Sequence, residues 1–92
     1  MYKGSAIPHL PLFTVDVAIL ETLQNGPKTQ AVVINDLLEQ SGEGYLYSRI
    51  RMLARRGYLS KEKQIPGILL TITEKGTAAL KAEPRGGMLY AV

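Results

Sequence analysis

Apolar positions recur along the chain with a helical period in three places and as a β-branched run in one. Residues 1–13 lie before the first of these; Pro8 and Pro11 discourage a helix there, which predicts an extended N-terminal arm. Thr14 suits an N-cap and Asp16 a first helical turn, and Val17, Ile19, Leu20 and Leu23 follow at helical spacing. Asn25-Gly26-Pro27 supplies the stop, so a first helix is expected over 14–24. Thr29 can cap a second helix carrying Ile34, Leu37 and Leu38 at i, i+3 and i+4. The run Ala31-Val32-Val33-Ile34 fits a strand as well as a helix, so the second helix is expected over 35–40. Ser41-Gly42-Glu43-Gly44 breaks it with a tight turn. From Tyr45 a third helix is expected to run to Arg56, with Leu46, Ile50 and Leu53 at i, i+4 and i+7 on one face. Tyr47, Ser48, Arg51 and Arg55 fall largely on the other, and Gly57 closes the helix.

Beyond Gly57 the pattern shifts. Tyr58-Leu59-Ser60-Lys61 and Ile68-Leu69-Leu70-Thr71-Ile72 favour strands, and the Pro66-Gly67 pair between them marks a turn. A hairpin is expected over 58–72. Thr73 then caps a last helix from Glu74 to Ala82 with a small apolar face of Ala78, Ala79 and Leu80; Pro84 ends it. Residues 83–92 form a flexible tail in this reading. Three helices, a hairpin and a short helix, within residues 14–82, are the order of a winged helix-turn-helix: mainly α with a small β-hairpin.

Composition narrows the function. Ninety-two residues make one domain at most, and 46% hydrophobic with 21% charged residues is ordinary for a globular fold. No apolar run approaches the roughly 18 residues needed to span a bilayer, and residues 1–12 lack the apolar core of a signal peptide. The absence of Cys excludes disulfides, thiolate metal sites and cysteine nucleophiles. The one histidine, His9, sits between prolines in the arm, which leaves little for metal or triad chemistry. The expectation is a non-enzyme with no cofactor and no metal, outside any membrane and placed in the cytoplasm with the nucleoid.

Charge changes the picture more than composition does. Residues 44–63 hold six bases (Arg49, Arg51, Arg55, Arg56, Lys61 and Lys63) against the single acid Glu62, a net +5. The remaining residues hold five bases against seven acids, a net −2. One segment therefore carries the positive field, and a polyanion is its commonest partner. That segment coincides with the helix and wing which this fold turns toward DNA.

Gly42-Glu43-Gly44-Tyr45-Leu46-Tyr47-Ser48-Arg49-Ile50-Arg51-Met52-Leu53-Ala54-Arg55-Arg56-Gly57-Tyr58-Leu59 resembles the recognition-helix segment of PadR-like transcriptional regulators. It shares a Leu-Tyr pair, apolar residues four and seven positions after the Leu, and a closing Gly with apolar followers. Leu70-Thr71-Ile72-Thr73-Glu74-Lys75-Gly76 is similar to the Leu-Thr-Glu-Lys-Gly stretch after the wing in PadR and MarR-type regulators, and Asn25-Gly26-Pro27 matches the break after their first helix. The resemblance covers about residues 17–81. Thr29-Gln30-Ala31 stands where that family has a Gly-Tyr pair, and the short wing lacks an arginine-rich tip. The resemblance implies a dimeric regulator of transcription. Relatives dimerise through a long C-terminal helix, whereas about ten residues follow the last helix here, so a homodimer is expected through the N-terminal arm or the C-terminal segment.

The sequence reading thus expects a regulator of double-stranded DNA, a repressor, reading the major groove with helix 45–56 and touching the backbone with wing 58–72. Its candidate DNA-binding residues are Tyr45, Tyr47, Ser48, Arg49, Arg51, Arg55, Lys61 and Lys63. Arginine can donate two bonds to guanine O6 and N7, which makes Arg51 the leading base reader. Lys61 and Lys63 suit phosphates. Tyr47 could equally bond a phosphate or pack between helices. Arg49 and Arg56 lie toward the flank, where salt bridges to Glu39 or Glu43 are the plainer role. Glu43 suits the helix dipole better than a cytosine contact. Two other functions fit the same pattern: a protein-docking winged helix whose basic segment meets an acidic surface, or a partition, architectural or viral DNA-binding protein.

Overall fold

In a computed structural model, which describes residues 12–65 and 67–82, the chain runs α1 (Thr14–Thr22), β1 (Lys28–Thr29), α2 (Gln30–Leu37), α3 (Glu43–Arg55), β2 (Leu59–Lys63), β3 (Ile68–Ile72) and α4 (Glu74–Ala82). The arm as far as Pro11 and the tail from Glu83 lie outside the described residues, and so does any dimer contact they make.

Leu12, Val15, Ile19, Leu20 and Leu23 from α1 and its flanks meet Val33, Ile34 and Leu37 of α2 and Leu46, Ile50 and Leu53 of α3. Tyr58, Leu59 and Leu70 close the core from the sheet side. Each such aliphatic side chain contributes about 1.5–3 kcal/mol on burial. The core therefore fixes which face of α3 is left for solvent.

Helix boundaries follow local hydrogen bonding. Phe13, not Thr14, is the N-cap of α1: its backbone N–H donates to the Asp16 carboxylate at 2.9 Å. The helix ends at Thr22, earlier than the expected 24, because the chain tightens into i−3 bonds from Leu23 to Leu20 and from Gln24 to Glu21. In α2, Val32 N–H donates to the Thr29 hydroxyl at 3.3 Å, so the cap is where sequence placed it. The helix nevertheless starts at once and ends at Leu37, which makes Ala31–Ile34 helical and leaves Leu38 outside the helix, 44% exposed. Val33, Ile34 and Leu37 supply the buried stripe, and that burial outweighs the β-branched preference of the run.

Helix α3 begins at Glu43, two residues before the expected Tyr45, with Gly42 as its N-cap. Its other end is a Schellman motif. Gly57 takes φ +83°, its N–H donates to Ala54 at 3.0 Å, and Tyr58 N–H donates to Leu53 at 2.9 Å. A residue with a Cβ is strained at that φ.

The hairpin pairs Leu59 with Ile72 through Lys63 with Ile68 in antiparallel register. Its central strand also pairs with β1, Lys28 opposite Leu70 and Thr29 opposite Leu69, giving the order β1-β3-β2. The two-stranded ribbon expected from sequence is thus a three-stranded sheet. Thr73 then caps α4: its hydroxyl accepts from Gly76 N–H at 3.0 Å and donates to the Gly57 carbonyl at 2.6 Å. Gly76 is buried where α4 crosses the Tyr58 backbone, and a Cβ there would overlap the Tyr58 carbonyl oxygen. The α2-turn-α3 unit, the β2–β3 wing and the closing helix together make a winged helix-turn-helix.

Candidate nucleic-acid interface

About 100° of rotation per residue decides what α3 offers to solvent. With Leu46, Ile50 and Leu53 fully buried, the opposite line runs through Gly44, Ser48, Arg51 and Arg55, all exposed. Tyr47 (39% exposed) flanks that line on one side and Tyr45 (47% exposed) on the other. Five of the expected interface residues therefore share one surface. No carboxylate interrupts the line; Glu43 stands at the helix start, where the dipole favours an acid.

Arg49 lies elsewhere. Its Nε donates to Asp16 Oδ1 and its Nη2 to Asp16 Oδ2, both at 2.8 Å, a bidentate pair between α3 and the first turn of α1. Asp16 is wholly buried and the Arg49 side chain is 11% exposed. The guanidinium also stacks over the Phe13 ring, 4.4 Å from its centroid. Hydrogen bonding to Asp16 raises the Arg49 pKa above its ordinary value while burial opposes the rise, so the group stays charged. The partner is neither Glu39 nor Glu43, the acids nearest in sequence. Nor does Arg56 pair with them among the described residues: it is half-buried, and its Nη1 is enclosed without a hydrogen-bond partner there. Asp16 and Phe13 are what the sequence reading missed. Its only signal was an acid in a first turn, for which the helix dipole was already sufficient reason.

On the wing, alternation puts Lys61 and Lys63 on the face that begins with Leu59, and Ser60 and Glu62 on the other. The core covers Leu59 alone, so both lysines are exposed and the acid between them is turned away. Gln64 N–H to the Gly67 carbonyl at 2.6 Å closes the turn, and Ile65 at its tip is 98% exposed. The base of α3 also borders an open concavity of about 550 Å³ lined by Leu12, Phe13, Val15, Gln40, Ser41 and Tyr45 among others. Among the described residues, no group of three or more His, Asp or Glu side chains could hold a metal ion, and no helix is long and apolar enough to cross a membrane.

No family model and no curated protein matches the chain. Among solved structures it is similar to a transcriptional regulator from Clostridium thermocellum, Cth-833, with a TM-score of 0.72 and 21% identity over 84% of this chain and 82% of that one. It is also similar to the complex structures of hsRosR-S1 and hsRosR-S4, each with a TM-score of 0.71 and 18% identity. Each match covers 86% of this chain, and 75% and 73% of those chains respectively. Likenesses at this identity carry the architecture: the chain has the winged-helix fold that a bacterial transcriptional regulator also has.

Proposed function

We propose that the protein is a PadR-like regulator of double-stranded DNA, a repressor acting as a homodimer, with α3 in the major groove and the β2–β3 wing on the sugar-phosphate backbone. One observation carries the reading. The exposed line of α3 is uncharged at Gly44 and Ser48, cationic at Arg51 and Arg55, and free of carboxylates. A small, flat leading edge lets the helix approach base edges, and the arginines behind it can donate to guanine or to phosphate. Lys61 and Lys63, exposed on the wing, add two further cations for the backbone. Tyr45 and Tyr47 flank the helix where hydroxyls can reach the two phosphate rims. In a two-fold dimer, two such helices would read half-sites about 34–36 Å apart.

The test is duplex selection from a randomised library, followed by affinity at several salt concentrations. A single enriched motif, with binding that falls steeply as salt rises, is expected. Failure to retain any duplex at low salt refutes the proposal. The concavity beside Phe13 and Tyr45, two half-exposed aromatic rings, favours a second reading as a docking module for an acidic, aromatic-binding protein surface. Indifference to DNA would leave that reading standing.

A further inference from the structure

Arg49 differs from every other cation of α3 in being committed inside the molecule. Both nitrogens of its fork are held at 2.8 Å by the two oxygens of one carboxylate. That carboxylate also takes the Phe13 N–H at 2.9 Å, and the Phe13 ring covers the guanidinium. Three contacts therefore join the start of α1 to the middle of α3. The Leu46, Ile50 and Leu53 stripe holds α3 against the core, but apolar contacts are non-directional and resist rotation about the helix axis only through shape. A planar fork bonded at two points accepts one orientation. Side-chain tips stand about 5–6 Å from a helix axis, so a roll of about 10° displaces the Arg51 and Arg55 side chains by about 1 Å. Bidentate bonds to a base edge do not survive such a displacement, whereas a phosphate contact does.

We propose that Asp16 and Arg49 are positioning residues that set the roll of α3, so that they govern which duplex is chosen without touching it. The inference rests on the DNA-binding reading above. It also assigns Arg49 a role other than direct contact.

The test uses the whole chain, the duplex that the wild type enriches from a random library, and a scrambled duplex of the same composition. Affinity for both is measured across a salt series for Arg49→Lys, Arg49→Gln, Asp16→Asn and the double variant Asp16→Asn/Arg49→Gln. Partial unfolding reduces both apparent affinities by the same folded fraction, so their ratio is blind to a loss of stability alone. In Arg49→Lys the ratio is expected to fall about tenfold, while binding to the scrambled duplex and the salt slope stay at wild-type values. Asp16→Asn is expected to do the same, and the double variant to be no worse than the poorer single one. Arg49→Lys keeps the charge and most of the stem, and carries the test if Arg49→Gln does not fold. An unchanged ratio in Arg49→Lys overturns the inference. So do losses that multiply in the double variant, or a salt slope shallower by about one unit in Arg49→Gln, which would mark a phosphate contact. A wild type that retains no duplex at low salt overturns the DNA reading itself. One that binds every duplex alike keeps DNA binding but removes base reading by α3, and this inference with it.

Discussion

Replacing Gly76 by alanine sets two physical effects against each other with opposite signs. Gly76 lies within α4, and in a helix interior alanine is favoured over glycine by about 1 kcal/mol. Local propensity alone thus predicts a more stable protein. The packing predicts the reverse. An added Cβ would overlap the Tyr58 carbonyl oxygen and would lie 2.9 Å from Ile72 Cγ1 and 3.0 Å from the Tyr58 carbonyl carbon. A side chain could swing aside, but a backbone carbonyl cannot, and this one also accepts from Thr73 N–H at 3.2 Å. The helix must move instead, which pulls Gly76 N–H from the Thr73 hydroxyl and that hydroxyl from the Gly57 carbonyl. Overpacking costs about 1–3 kcal/mol, and this unyielding contact belongs at the upper end. The lost cap adds about 1 kcal/mol, and the propensity gain returns about as much. A net loss of about 2–3 kcal/mol follows. For a domain of this size that lowers Tm by about 10–20 °C. Urea titration and thermal melting followed by circular dichroism measure it directly. An alanine variant as stable as the wild type, or more so, would refute the close-approach argument.

Other substitutions separate base reading from phosphate contact and caps from packing. Arg51→Ala is expected to weaken binding to the enriched duplex by about tenfold to a hundredfold and to relax one position of the motif, as seen by competition with single-base variants. Lys61→Ala and Lys63→Ala should weaken binding to all duplexes alike, each flattening the salt dependence by about 0.9 of a unit in a double-logarithmic plot. A change confined to one sequence would show that these lysines read bases. Thr73→Ala should cost about 1–2 kcal/mol in urea unfolding, whereas Thr73→Ser, which keeps the hydroxyl, should lose only a few tenths.

The order of elements was legible because most helices carry their own punctuation. Thr29 and Thr73 cap where their hydroxyls suggested, and Gly57 ends α3 because only a left-handed residue completes the bonds to Ala54 and Leu53. Legibility failed where two local explanations competed. Ala31–Ile34 suits either a strand or a helix, and only the tertiary burial of Val33, Ile34 and Leu37 decides. Strand β1 has two residues and no pattern of its own; it exists because β3 presents a free edge to Lys28 and Thr29. Helix α1 starts at Thr14 as expected, but its N-cap is Phe13 rather than Thr14, because the capping acceptor is the Asp16 carboxylate, three residues further on, rather than the hydroxyl next in line.

The interface shows the same boundary between what a period can and cannot reveal. Arg49 and Arg51 stand two residues apart with identical side chains, and their fates differ because a helix turns about 200° between them. Rotation alone places Arg51 well away from the core, and exposure follows directly. Arg49 falls about 60° from the buried stripe, on the margin, where the period is silent and the partner decides. That partner is 33 residues away on another helix and has no sequence mark beyond being acidic. A buried carboxylate without a cation would be costly, so Asp16 requires a cation as near as Arg49 is. Net positive charge over residues 44–63 therefore overstates what DNA would meet. One of the six bases is neutralised within the fold and a second is half-buried, which leaves Arg51, Arg55, Lys61 and Lys63 to supply the exposed field. Charge counted along a sequence measures the potential of a surface only after the fold has shown which charges it keeps for itself.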